Sequence, residues 1–309
     1  MTPINNAQSG NKAYIVTGPT SGIGRRTALE LAKHGTVVLV GRNPSKLAEV
    51  AAEVAQAGGH AVSVVCDFAD ITSVRRAAAE IIALDLPIAG VLNIAGILPF
   101  APGKSAQGWD LAFATNHVGP FAFTEEFIPH LADGTNIVFI ASAVEDSERK
   151  IAVRAGFRGS RYVSAEASAR GEWMPGGSKH AGSDAYATSK QGNLASVFSL
   201  SREIPRLHFR AVEPGVNPGS NLTRDMSAPI RVLSKAFAPI APLFPYFSTP
   251  KRAARIITNV LTDASNATGI YYDENGKPMK ASKQVTDPKF ADRYIAETRA
   301  LLATVPASK

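Results

Sequence analysis

The feature that most limits what this chain can fold into is a set of short runs at residues 13–16, 36–40, 61–65, 88–92, 136–140 and 207–212. These runs are close to continuously apolar instead of alternating with polar positions. A strand with that composition is covered on both faces, which is the situation in a parallel sheet flanked by helices. Stretches of helical periodicity separate the runs, at 22–34, 44–57, 71–83, 118–131 and 184–202. In the first of these, Ala28, Leu31 and Ala32 share one face. Pro44 suits a first helical turn, and Gly58-Gly59 stop the helix it opens. The alternation predicts an α/β fold, a doubly wound parallel sheet with right-handed crossovers. A further helix at 250–262, a short strand near 269–271 and a last helix at 288–302 follow. With 309 residues and no internal repeat or low-complexity linker, a single domain is expected over 1–309.

Composition removes other classes. The chain is 45% hydrophobic and 19% charged, which is ordinary globular usage and neither disordered nor membrane-bundle composition. One cysteine, Cys66 in an apolar run, forms no internal disulfide and reads as a buried small hydrophobe. Residues 1–11 are polar, read as a flexible N-terminus, and contain no apolar signal-like core. The longest apolar approach, 230–247, is broken by Arg231, Lys235, Pro239, Pro242 and Pro245, so no transmembrane segment is expected and a cytoplasmic protein is. No His/Cys/Asp/Glu cluster has metal-ligand spacing, so no metal is expected. The net charge of +7 suits an anionic partner, cofactor or substrate. Much of it lies between 149 and 179, where Arg149, Lys150, Arg154, Arg158, Arg161, Arg170 and Lys179 face only Glu166 and Glu172. That stretch lacks the aromatic interleaving of a nucleic-acid surface, so none is expected to bind.

The turn after the first run reads Thr17-Gly18-Pro19-Thr20-Ser21-Gly22-Ile23-Gly24. Gly18 permits a tight turn, Gly22 lets a pyrophosphate approach the backbone, and Gly24 lets helix and sheet close up. The phosphates would lie at the positive end of the helix. This is a dinucleotide-binding, Rossmann-type arrangement, with Thr20, Ser21 and Ile23 lining the turn. An NAD site places a carboxylate at the end of the second strand. Here the chain reads Val40-Gly41-Arg42-Asn43, with Lys46 one turn on. Arg42 can clamp a 2′-phosphate that an acid would repel, so NADP(H) is the expected cofactor.

Gly18-x-x-x-Gly22-x-Gly24, Asn93-Ile94-Ala95-Gly96 after the fourth run and Tyr186-Ala-Thr-Ser-Lys190 together resemble the short-chain dehydrogenase/reductase family, over about residues 12–216. The resemblance implies a hydride-transfer enzyme. Tyr186 would be the general acid–base, with Lys190 at i+4 on the same helix face lowering its pKa and binding the nicotinamide ribose. Ser142 would polarise the substrate carbonyl. Asn116 would complete a proton relay to Lys190, while its neighbour His117 reads as structural. Asp67 and Phe68 would meet the adenine. Asn93 would hold the turn after the fourth strand, with Ala95 and Gly96 beside the cofactor. Pro214, Gly215 and Val216 follow the sixth strand, and Ser220 stands in for the threonine that usually binds the carboxamide there.

Two segments depart from the pattern. Forty-three residues, 143–185, separate Ser142 from Tyr186, where a typical member has a short loop. Such insertions are familiar in the protochlorophyllide-reductase-like branch, and Asn116-His117-Val118-Gly119-Pro120-Phe121 is similar to the retinol-dehydrogenase-like branch. Residues 217–250, with Leu243, Phe244, Tyr246 and Phe247, read as an apolar lid over the substrate. The expected activity is hydride transfer between NADP(H) and a carbonyl or secondary alcohol of an apolar substrate. Reduction of a ring C=C bond, or a catalytically silent cofactor-sensing protein, are the alternatives. The resemblance also implies a homo-dimer or homo-tetramer paired through the helices after strands four and five.

Overall fold

A computed structural model describes residues 12–99, 101–217 and 246–306. The six apolar runs form strands β1 (Ala13–Thr17), β2 (Thr36–Gly41), β3 (Ala61–Val65), β4 (Ile88–Asn93), β5 (Asn136–Ile140) and β6 (His208–Val212), joined by β7 (Ile270–Tyr272). They make one parallel sheet in the order β3-β2-β1-β4-β5-β6-β7. The direction of winding reverses between β1 and β4. In doubly wound sheets a ligand crevice opens there, at the carboxyl ends of the strands.

Strand composition follows from two cores, one on each face. In β5, Ile137 and Phe139 pack into one cluster and Val138 and Ile140 into the other; β1 divides Ile15 from Tyr14 and Val16 in the same way. Neither face of these strands meets water, which removes the polar half of the alternation.

Capping residues set the helix starts. Asn43 accepts from Lys46 N–H ahead of α2 (Pro44–Gln56), and Asp70 from Thr72 N–H ahead of α3 (Ile71–Ile82). After α1 (Gly22–Leu31), α2 and α3, the helix expected from 118 starts earlier. The Asp110 side chain accepts from Phe113 N–H to open α4 (Leu111–Phe113). The chain then runs through a π-helical turn, Ala114–Val118, into α5 (Gly119–Phe127).

The long excursion is built and packed. It contains α6 (Lys150–Arg154) and α7 (Ala165–Arg170) and leads into α8 (Ala181–Glu203). Tyr162 stacks 3.7 Å from Tyr294, and its hydroxyl donates to Glu297. Ser160 donates to Gln191, and Arg161 N–H to Thr188 of α8. Past α9 (Pro250–Leu261), β7 and α10 (Lys283–Thr286), the last helix α11 (Pro288–Ala303) lies along α8. Arg299 of α11 bridges Glu125 of α5 and Glu203 of α8. Among the described residues no helix is long and apolar enough to cross a membrane.

His117 sits where α5, α8 and α11 meet. It is fully buried, its Nε2 is 3.0 Å from Thr298 Oγ1, and its ring packs on Phe113, Phe121 and Tyr294. Burial pushes its pKa down to about 3, so it is neutral in the folded state at physiological pH. Gly192 makes that approach possible, because a Cβ there would stand 2.6 Å from His117 Nδ1. Gly192→Ala gains about 1 kcal/mol of helix propensity but overpacks a core site, which costs about 1–3 kcal/mol. The expected outcome is a net loss of stability, read as a lower urea midpoint with an unchanged m-value. A midpoint at or above the parent's contradicts the packing argument.

Candidate active site

The first element of the site is the turn between β1 and α1. Gly18 and Gly22 adopt φ of 63° and 55°, a left-handed region that favours glycine. A Cβ on Gly18 would come 2.9 Å from Ala95 Cα, and one on Gly24 would come 2.3 Å from the Gly18 carbonyl oxygen. Gly22 is exposed, and a Cβ there would project into open space. Ser21 stands at the N-cap without a side-chain hydrogen bond, and no acid occupies the first turn of α1. The N–H groups at the positive helix end, with open space at Gly22, fit a pyrophosphate. Thr20, Ser21 and Ile23 are half-buried around this turn.

Thr17 was not singled out from sequence, yet it ties this turn to the next strand. Its hydroxyl oxygen accepts from Ile94 N–H at 2.9 Å and Ala95 N–H at 3.0 Å. Asn93, expected to hold that turn, instead donates from Nδ2 to Thr124 Oγ1 of α5 at 2.9 Å. The reason is geometric: Asn93 is still within β4 and its side chain points into the helix layer.

At the end of β2, Arg42 and Lys46 are exposed, and no ion pair among the described residues includes either. Asn43 Oδ1 accepts from Lys46 N–H, so its local role is to cap α2. Half-buried Asp67 accepts from Ala69 N–H at 3.0 Å after β3. The Phe68 ring faces the core, 5.4 Å edge-on from Phe123, and so only its backbone is left for an adenine.

Beyond β4 the chemistry-bearing side chains converge. Asn116, fully buried in the π-helical turn, accepts from Ile97 N–H and donates to the Ile97 carbonyl, both at 2.8 Å. It also donates to Ser189 Oγ of α8 at 3.2 Å. A Cβ on Gly96 would lie 3.3 Å from Asn116 Oδ1 and 3.8 Å from Lys190 Nζ, so all three share one small space. π-helical turns inside α-helices are frequent at functional sites.

Lys190 is 4% exposed, and its Nζ donates to the Ile140 carbonyl at 2.8 Å. Asn193 Nδ2 donates to the same oxygen at 3.1 Å. Burial pushes the lysine down to about 8, against the pull of the Glu213 carboxylate. Nζ is 5.4 Å from the centre of the half-buried Tyr186 ring. The spacing of the pair predicts a lowered phenol pKa. The opposite direction is found: burial raises Tyr186 above its ordinary value, and Glu213 adds to the rise.

Ser142 stands in extended conformation just past β5. It is beside Glu213, a second residue that sequence reasoning passed over. Glu213 Oε2 accepts from Ala143 N–H and from the Tyr271 hydroxyl. The visible signal was an acid directly before Pro214-Gly215, at the end of a strand on the binding edge.

The insertion contributes Phe157, whose ring centre is 6.4 Å from that of Tyr186. After β6, Gly215 has φ of 73°, and Val216 is 49% exposed and pairs with Phe247. Half-buried Pro214 precedes them, and Tyr246 lies under the Arg149 guanidinium at 5.9 Å. Ser220 and most of the expected lid, including Leu243 and Phe244, lie outside the described residues. Among the described residues no group of His, Cys, Asp and Glu could hold a metal ion.

Residues 12–154 match the family model for short chain dehydrogenases. A short-chain dehydrogenase/reductase of Armillaria gallica is 28% identical over 284 residues, 90% of this chain and 85% of the relative. Human dehydrogenase/reductase SDR family member 13 is 33% identical over 137 residues, 43% of this chain and 36% of that protein. Among solved structures, a putative NAD(P) dependent gluconate 5-dehydrogenase from Beutenbergia cavernae, with bound NADP, aligns with a TM-score of 0.63. It is 26% identical, over 87% of this chain and 97% of that one.

Proposed function

We propose that this chain, whose residues 12–154 match the short-chain dehydrogenase family model, is an NADP(H)-dependent oxidoreductase of that family, reducing a carbonyl, or oxidising the matching secondary alcohol, of an apolar substrate. The observation that carries the reading is the convergence of Tyr186, buried Lys190 and clamped Asn116 beside the open glycine turn.

The bound dinucleotide would supply a hydride to the carbonyl carbon. The chain's own residues do the rest. The α1 terminus and Gly22 hold the pyrophosphate, and Arg42, with Lys46 nearby, takes the 2′-phosphate by charge-assisted hydrogen bonds. Ser142 stabilises the substrate oxygen as it gains charge. Tyr186, whose proton burial holds in place, donates it to that oxygen. Lys190 keeps a positive charge beside the phenolate left behind, and Asn116 supports the relay through which the proton is replaced. Phe157 next to Tyr186, with exposed Val216, supports an apolar substrate. The lone cysteine fits a cytoplasmic setting. The 143–185 excursion and residues 217–250 are accessory parts of one domain in this reading.

Pairing through the helices after strands four and five, the family-level expectation, meets an obstacle here. α11 lies along α8 and is salt-bridged to both α5 and α8 through Arg299. We therefore expect a monomer, with a light-scattering mass near 32.6 kDa. A species of twice that mass at micromolar concentration contradicts this.

Tyr186→Phe is expected to lower kcat for NADPH-dependent ketone reduction by at least 10³-fold while NADPH affinity stays within about threefold. Retained turnover defeats the assignment. In the parent, kcat/KM for reduction falls above pH about 8, as Lys190 loses the proton that keeps it charged. Arg42→Asp is expected to cost at least tenfold in NADPH affinity and to shift preference toward NADH, because a carboxylate accepts from the ribose 2′-OH and repels the phosphate. An unchanged ratio of NADPH to NADH affinities contradicts the assignment of Arg42.

A further inference from the structure

Glu213 has no part in the mechanism above, yet the sheet register delivers it to the reacting edge. β5 and β6 pair in parallel with Ile140 opposite Val212, and Ala141 N–H donates to the Val212 carbonyl at 3.0 Å. One step further along, Glu213 lies across from the Ala141–Ser142 stretch. Two donors are fixed on a single carboxylate oxygen: Ala143 N–H and, at 3.2 Å, the Tyr271 hydroxyl both reach Oε2. The Ser142 side chain is a further hydrogen-bonding neighbour of the same carboxyl group.

We propose that Glu213 is the positioning residue for Ser142. Ionised, it accepts a hydrogen bond from the Ser142 hydroxyl and holds that donor away from the substrate. Neutral, it releases that hydroxyl to donate to a substrate carbonyl oxygen. This rests on the reading of Ser142 as the residue that contacts the substrate oxygen.

A hydroxyl has one proton to donate, so it cannot serve a carboxylate and a carbonyl with the same hydrogen bond. Both directions pass through one transition state, so ionised Glu213 withdraws this donor from reduction and oxidation alike, and neutral Glu213 frees it for both. Burial raises the Glu213 carboxyl above its usual range. Ala143, Tyr271 and Ser142 draw it back down, and Glu274 beyond β7 pushes it further up. Tyr186 and Lys190 face it from α8, each feeling its charge. Tyr271, its partner on β7, lies within the influence of Glu145 and Arg149. Protonation at this position thus sets whether Ser142 can donate to the substrate oxygen, through a residue that touches neither hydride nor proton donor.

The test uses the full-length protein labelled with ¹³C at glutamate carboxyl groups, with the Glu213 signal identified by its loss in Glu213→Gln. The midpoint of Glu213 is followed by pH titration in the parent and in Ser142→Ala. Removing a donor to the charged form is expected to raise the midpoint by about half a pH unit or more. A midpoint that does not move on removal of the Ser142 hydroxyl overturns the proposal.

The kinetic arm measures reduction and oxidation against pH. In the parent, kcat/KM for reduction shows a step at the Glu213 midpoint, falling as Glu213 ionises. Glu213→Gln, which cannot ionise, loses that step, and Tyr271→Phe, which removes one donor from Oε2, moves it to higher pH. If Glu213→Gln lowers kcat/KM by the same factor at every pH and keeps the step, the residue is merely structural and the proposal fails. A parent that reduces no carbonyl compound defeats the wider functional reading instead, and the NMR titration still decides the link between Glu213 and Ser142.

Discussion

An ammonium group buried at the carboxyl end of the sheet is the constraint around which the rest of this site is arranged. A charge taken out of water is tolerated only where fixed partners replace its hydration. Lys190 receives the Ile140 carbonyl from the end of β5 and the field of Glu213 from the end of β6. Those partners are backbone and strand-end groups, so their positions follow from the sheet and not from mobile side chains. Gly96 leaves room on the β4 side, and Asn116, pinned to both polar groups of Ile97, fills the remaining flank. The same burial that depresses the lysine raises Tyr186. A proton donor and a nearby positive charge are thereby held in complementary states at neutral pH.

That arrangement depends on elements far along the chain. α8 carries both Tyr186 and Lys190, and it is fixed on its outer side by α11 and by the packed insertion. Tyr294 donates to the Thr188 carbonyl, Thr188 accepts from Arg161 N–H, and Tyr162 stacks on Tyr294. A single aromatic seam thus joins the insertion, the last helix and the helix that bears the chemistry. The insertion also sets Phe157 beside Tyr186, so one segment both braces the site and lends it apolar surface.

The sheet was legible because burial on two faces leaves an unmistakable apolar run, and the glycine turn because a pyrophosphate cradle excludes Cβ atoms. Tyr186 and Lys190 were legible because i and i+4 share a helix face. Other parts were hidden for identifiable reasons. The helix bearing Asn116 starts at Leu111, not 118, because a capping aspartate, Asp110, sets its start ahead of the apolar periodicity. Phe68 turned into the core, and Asn93 turned toward α5, because side-chain direction at a strand end depends on the layer above it. Thr17 and Glu213 carry no motif; their roles exist only once β1 meets β4 and β5 meets β6. The direction of the Tyr186 shift was misread because sequence spacing reports proximity to Lys190 but not dehydration.

The central claim is hydride delivery to a carbonyl carbon at the edge where Tyr186 and Lys190 meet the glycine turn. Deuterium tracing tests it most directly: the purified chain is given NADPH carrying deuterium at the reactive nicotinamide carbon, with a panel of apolar ketones and enones. The account predicts deuterium on the carbinol carbon of an alcohol product, from one face of the nicotinamide only. Deuterium on a former alkene carbon with the carbonyl intact, or no transfer to any member of the panel, would contradict it.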